Sequence, residues 1–152
     1  MNDIEFRAAR RDDVAGIVAL LADDVLGRQR EDATSPLNER YTAAFDAIDA
    51  DPHQLQLVAL ADGEVVGTLQ LTFIPGLARL GAWRGQIEGV RIASTHRSAG
   101  LGQAMFQRAI DECRQRGCEL VQLTTDIERP DAQRFYERLG FRNTHLGYKL
   151  TL

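Results

Sequence analysis

The stretch Gln86-Ile87-Glu88-Gly89-Val90-Arg91-Ile92-Ala-Ser-Thr-His-Arg97-Ser98-Ala99-Gly100-Leu101-Gly102, running on through Met105, Phe106, Ala109 and Cys113 to Arg116, decides how this chain folds. Ile87, Val90 and Ile92 give its first part the character of a strand. Its last part reads as an amphipathic helix. Leu101, Met105, Phe106, Ala109, Ile110 and Cys113 fall on one arc, with Gln103, Gln107, Arg108, Asp111 and Arg114 largely opposite. Between the two lies Arg97 to Gly102. A glycine-bearing turn that opens a helix exposes backbone N–H groups and the positive end of the helix dipole, an anion site best matched to phosphate. Glycines let the backbone approach the ligand closely, and Arg97 adds a formal positive charge.

Arg97-x-x-Gly100-x-Gly102, placed after a strand and opening a helix, resembles the pyrophosphate-binding signature of the GNAT N-acetyltransferases. Downstream, Ala132-Gln-Arg-Phe135-Tyr136-Glu-Arg-Leu139-Gly140-Phe141 is similar to that family's A-x-x-F/L-Y-x-x-x-G-F segment. Two such stretches in the right order are far more specific than either alone. The resemblance implies a mixed α/β fold, with a twisted, mostly antiparallel sheet flanked by helices on both faces. It also implies acetyl-CoA as acetyl donor, with its diphosphate on Arg97, Ser98, Ala99, Gly100, Leu101 and Gly102.

Further roles follow from the same resemblance. Backbone N–H groups of Val90, Arg91 and Ile92 would polarise the thioester carbonyl. Tyr136 would give a proton to the departing thiolate, since a phenol of pKa ~10 is protonated at neutral pH. Tyr136 also shares an apolar face with Phe135 and suits a plain core residue. An amine of pKa ~10.4 must lose a proton before it attacks, so a base or desolvation is needed. Glu88 is the candidate, with a surface ion pair as its competing role; His53 and His145 are further candidates. Two positions depart from the family pattern. Ser98 stands where a second glycine is frequent, and its hydroxyl can cap the helix. Arg129 stands where many members carry a cofactor-contacting asparagine, and it can reach a phosphate. Read without the resemblance, Gly89 inside a strand weakens pairing unless the strand bulges or something approaches closely.

At 152 residues the chain is read as one domain, residues 1–152, with room for a single core. A hydrophobic share of 44% and a charged share of 26% suit a globular protein. No apolar run approaches the ~20 residues that span a bilayer. The first residues lack the apolar centre of a signal peptide, so a cytoplasmic chain without a membrane partner is expected. Residues 1–62 carry 13 acidic and 6 basic side chains, whereas residues 63–152 carry 9 and 12. That asymmetry suits a cationic substrate meeting an anionic cofactor, or simply solvated helix faces. With a net charge of −4 and no basic cluster, nucleic acid is not an expected partner. Cys113 and Cys118 have the wrong spacing for a metal or redox pair and are read as reduced thiols, so no metal is expected.

The remaining chain gives a strand at Ile4–Ala8 and a helix capped by Asp12 or Asp13. A loop from Gly27 to Ser35 follows, then a helix opened by Ser35-Pro36 and running to about Ala50. Gln54–Ala61 and Glu64–Phe73 read as a hairpin around Asp62-Gly63. Residues 74 to 85 read as a loop, with Gly117 ending the long helix. Leu120–Thr124 reads as a strand, a last helix runs from near Pro130 to Gly140, and Thr144–Leu152 as a final strand or strand pair. The acceptor is expected to be a small-molecule amine attacked directly in a ternary complex. A protein acceptor, a non-catalytic coenzyme A-binding module and a homodimer stay open. A dinucleotide fold using Gly100, Gly102 and Asp126 fits poorly, because Met105 occupies the third glycine position and the strands do not repeat as βαβ units.

Overall fold

The structure, a computed structural model, describes residues 3–152. The chain forms two compact units, one up to Gln122 and one from Leu123 onward.

The first unit contains β1 (Ile4–Ala8), α1 (Val14–Ala22), α2 (Gly27–Arg30), α3 (Glu39–Ala50), β2 (Gln54–Ala61), β3 (Glu64–Ile74), α4 (Ala78–Gly81), β4 (Trp83–Ile92) and α5 (Leu101–Gln115). It ends in β5 (Cys118–Leu123), whose last residue opens the second unit. The sheet order is β1-β2-β3-β4-β5, antiparallel from β1 through β4. This is the mixed α/β, mostly antiparallel architecture expected. The β2–β3 hairpin turns on Asp62 and Gly63 at φ 51° and 82°, so both central residues are left-handed, as a tight Asp-Gly turn requires.

Strand alternation sends the two sides of the sheet to different helices. Ala9, Val58 and Leu60 pack with Val14, Ile17 and Val18 of α1 and Phe45 of α3. On the other side α5 lies close to the backbone: a Cβ on Gly67 would come within 2.6 Å of Met105 Sδ, and one on Gly85 would collide with Cys113 Sγ. Met105, Phe106, Ala109 and Cys113 are buried, which contributes roughly 1.5–3 kcal/mol for each large side chain.

Four local expectations give way. Asp13 does not cap α1. Its carboxylate instead accepts from Arg7 Nη1 at 2.6 Å and from the Arg10 N–H at 2.7 Å, closing a 3-10 turn ahead of the helix. Ser35-Pro36 does not open α3, because Asn38 is the cap and accepts from Arg40 N–H at 3.0 Å. The expected loop from Gly27 begins with a short helix, α2, whose Gly27 N–H donates to the Asp24 carboxylate. The residues 74–85 loop is shorter than expected, because β4 already starts at Trp83, where Arg84 pairs with Ile74. What remains is a tight turn with Arg79 and Leu80 at φ 56° and 60°.

The second unit is built on α6 (Pro130–Arg138). Gly140 at φ 96° stops it. The Gly140 N–H reaches the Glu137 carbonyl at 3.0 Å, and the Phe141 N–H reaches the Tyr136 carbonyl at 3.1 Å. That is a Schellman closure, and the Tyr136 and Phe141 rings meet at 6.2 Å to complete it. The final strand expected over residues 144–152 does not form, and these residues carry neither helix nor strand.

Candidate active site

The site in the first unit starts from a single register shift. Thr68 pairs with Arg91 and Gln70 with Glu88, so Gly89 and Val90 together face Leu69 alone. Gly89 has φ 63°, a left-handed residue at the first position of a bulge, where glycine carries no steric cost. The bulge takes the Gly89 and Val90 backbone groups out of regular pairing, which resumes at Arg91 and Ile92, where the strand ends. Glycine within an otherwise β-rich run is the sequence signal for it.

After Ile92 the chain makes a 3-10 turn over Ser94–His96 and enters the loop. Arg97 Nε donates to the Ile92 carbonyl at 3.2 Å, which ties the loop to the end of β4. Ser98 is left-handed at φ 66° and Gly100 at φ 81°. The expected Ser98 cap is absent: no side chain caps α5. Ser98 has taken the backbone conformation that a glycine would take, and its hydroxyl does not reach the helix. The first helical bond runs from Ala104 N–H to Gly100 carbonyl at 3.1 Å. Leu101, Gly102 and Gln103 therefore have N–H groups without helical acceptors, beside an arginine. Ala99 and Gly100 are exposed. An uncapped helix start of this length with a left-handed entry fits a diphosphate.

Glu88 is exposed and shares a face with Gln86 and, past the bulge, Arg91. The same face carries a hydrogen-bonded polar row that the linear motifs do not reveal. Gln54 Oε1 accepts from Gln70 Nε2 at 2.9 Å and Thr72 Oγ1 at 3.1 Å. Gln56 Nε2 donates to Thr68 Oγ1 at 2.8 Å, and Gln122 Nε2 to Gln86 Oε1 at 3.0 Å. The signal was present in Gln54-Leu-Gln56, Thr68-Leu-Gln70-Leu-Thr72 and Gln86-Ile-Glu88, strands whose alternate positions are polar.

The Arg91 side chain reaches out of β4 as well as back onto it. Its Nε lies 3.2 Å from Asp24 Oδ2 and its Nη1 donates to the Val90 carbonyl at 2.8 Å. The segment between α2 and α3 is pinned by Tyr41, whose hydroxyl donates to Glu31 Oε2 at 2.7 Å and accepts from Asp32 N–H at 2.8 Å. Burial first, and then Glu31, push the Tyr41 phenol above its usual range.

His53 stacks against Trp83 at 5.2 Å, at the start of β4. Five residues of strand separate Trp83 from Glu88, roughly 16 Å, so His53 stands away from the bulge. Cys113 is buried and Cys118 partly so, both against Gly85. Burial, reinforced by Cys118, pushes the Cys113 thiol up to about 12. In the second unit, Tyr136 sits on α6 between Phe135 and Phe141, with ring centroids at 5.7 and 6.2 Å. Arg129 is the N-cap residue of that helix and is partly buried. His145 lies in the exposed tail, with Nδ1 2.6 Å from Thr144 Oγ1.

The class of protein is fixed by comparison: this chain is a member of a family of acetyltransferases. The profile of the Acetyltransferase (GNAT) family matches residues 11–141, and the chain belongs to that family of acetyl-CoA-dependent N-acetyltransferases. It is 30% identical to the aminoalkylphosphonate N-acetyltransferase of Salmonella typhimurium over 97% of this chain and 91% of that protein. The glucosamine 6-phosphate N-acetyltransferase of Trypanosoma brucei brucei is 36% identical over 59% of each. Among solved structures, a transcriptional regulator from Bacillus halodurans is 46% identical, with a TM-score of 0.96 over 99% of this chain and 100% of its own. No described helix is long and apolar enough to cross a membrane.

Proposed function

We propose that this enzyme acetylates a small primary amine by direct attack on the acetyl donor in a ternary complex, with no acetylated side chain in between. The observation that carries the reading is the Gly89 bulge ending beside the open helix start at Gly100–Gln103. The donor supplies an activated acetyl thioester. Its diphosphate is held by the N–H groups of Ser98 to Gly102 and by Arg97, with Arg129 as a further phosphate contact. The backbone N–H groups of Val90, Arg91 and Ile92 polarise the carbonyl. Glu88 accepts the amine proton and Tyr136 protonates the leaving thiolate as the C–N bond replaces the C–S bond. The raised Cys113 pKa supports direct transfer, because a thiol protonated at neutral pH is a poor nucleophile.

The polar row of Gln70, Thr72, Gln86 and Gln122 suits an acceptor whose body makes hydrogen bonds. The Salmonella relative's acceptor, an aminoalkylphosphonate, is the first to assay because that similarity runs through nearly the whole chain. The test is thiol release from acetyl-CoA with an aminoalkylphosphonate, glucosamine 6-phosphate, a plain alkylamine and a peptide. Turnover with a small amine in excess of the peptide is expected. Preference for the peptide would overturn the small-amine acceptor. Acetyl-CoA binding without thiol release from any amine would point instead to a regulatory coenzyme A-binding role.

A further inference from the structure

Gln70 stands directly across from Glu88, in the last regular β3–β4 pair before the bulge. Side chains so placed share a face, with Cβ atoms about 4.5–5.5 Å apart, near enough for both to touch one nitrogen atom. The Gln70 amide is held from behind. Its Nε2 donates to Gln54 Oε1 at 2.9 Å, and that same oxygen accepts from Thr72 Oγ1 at 3.1 Å. With its nitrogen engaged, half-buried Gln70 has its Oε1 for another donor, and no described residue supplies one. Gln86, two positions before Glu88 on the same face, is turned the other way. Its Oε1 accepts from Gln122 Nε2 at 3.0 Å, which leaves it N–H groups that an ammonium cannot use.

We propose that Gln70 Oε1 accepts an N–H of the acceptor amine while Glu88 takes a proton from the same nitrogen, so that Gln70 makes the enzyme select primary over secondary amines. This assignment rests on the reading of Glu88 as the base. A primary ammonium carries three protons. One passes to Glu88, and the freed lone pair forms the C–N bond as the C–S bond breaks. A second leaves nitrogen as the amide forms, balanced by the proton that the leaving thiolate takes up. The third stays as the amide N–H, and it is the one Gln70 holds throughout. That bond fixes the direction of the lone pair during attack. A secondary amine has no third proton. Its N-alkyl group would face Gln70 Oε1 and leave that oxygen desolvated and unpaired, which is costly.

The test compares an alkylamine with its N-methyl derivative, as kcat/KM for thiol release from acetyl-CoA, in the wild type and in Gln70→Leu. The wild type should favour the primary amine at least about tenfold. Gln70→Leu should lower kcat/KM for the primary amine about 10–100-fold, the loss of one hydrogen bond from a charged donor, and change the secondary amine little. Acetyl-CoA affinity should hold. The crowding caused by the methyl group is the same in both proteins, and a general loosening of the fold slows both amines, so the change in their ratio belongs to Gln70. A ratio that Gln70→Leu leaves unchanged overturns the proposal, as does a wild type that acetylates both amines equally. Gln70→Met keeps the chain length and carries the same comparison if the leucine variant does not fold. Absence of thiol release with any amine removes the transferase reading itself, and this assignment with it.

Discussion

Arg91 Nε stands 3.2 Å from Asp24 Oδ2, so the strand that bulges at Gly89 is joined, one step past the bulge, to the turn between α1 and α2. Both side chains are about one-fifth exposed, 21% and 20%, which places the pair between a surface contact and a buried one. Asp24 has a second task, since its other oxygen accepts from the Gly27 N–H at the start of α2. Asp24→Ala removes both. It should lower stability by about 1–3 kcal/mol in urea unfolding and raise the KM for amine while leaving acetyl-CoA affinity near its original value. Asp24→Asn keeps an oxygen for the cap and should recover part of the stability.

Gly89→Val tests the bulge. A β-branched residue at φ 63° costs about 1–2 kcal/mol, and flattening the bulge would draw the Val90 N–H into regular pairing. Turnover should fall much further than stability. A variant that keeps wild-type kcat would show that the bulge has no part in carbonyl polarisation.

The loop separates two kinds of glycine question. Gly100→Pro cannot adopt φ 81°, and Gly102→Val crowds the helix start, so both should weaken acetyl-CoA binding at least about tenfold, the equivalent of losing one or two charge-assisted hydrogen bonds. Ser98→Gly should preserve binding and alter stability by less than ~1 kcal/mol. Relief of left-handed strain there offsets the entropy that glycine adds to the unfolded chain. Isothermal titration and thermal melts read the two effects apart.

Tyr136→Phe keeps the ring contacts with Phe135 and Phe141 and removes only the hydroxyl. With chemistry rate-limiting, kcat should fall by about 10²–10⁴-fold and acetyl-CoA affinity should hold. Glu88→Gln should act instead on the acidic limb of the pH–rate profile. Wild-type kcat in the first, or an unchanged profile in the second, removes that residue from the mechanism.

The buried thiol gives a pH signature. Cys113 sits at about 12 in the fold against 9.0 for an ordinary thiol, so the folded chain holds its proton where the unfolded chain has released it. That contribution is complete below pH 9, and stability drains away as pH rises from there toward 12. Cys113→Ala should flatten this alkaline decline in melting temperature while retaining turnover. An acetylated cysteine in the wild type, found by mass spectrometry, would contradict direct transfer.

Local chemistry made much of this fold readable. Asp62-Gly63 signals a tight turn, Gly140 a helix stop and Gly89 a bulge or a close approach, because each is a backbone requirement written in one or two residues. The start of α3 was misplaced because Ser35-Pro36 and Asn38 both offer helix-opening chemistry, and only tertiary packing chooses between them. Asp24 was invisible for a different reason. Its partner lies 67 positions away in sequence, and nothing local marks an aspartate in a helix end as half of an ion pair. The polar row lay in between: the alternation was legible, but which glutamine meets which threonine depends on strand register. The tail reads as a final strand or strand pair, and a strand requires a neighbour that sequence alone does not name.

Helix α5 reaches the sheet through Gly67 and Gly85, where its Met105 and Cys113 occupy the volume a methyl group would need. The loop proposed to hold the diphosphate is thus the tip of a lever whose fulcrum is two missing side chains. Ligand affinity becomes a property of the core as much as of the loop. A methyl group added at Gly67, on the strand beneath, would tilt the lever and register as weaker hold on a coenzyme it never touches.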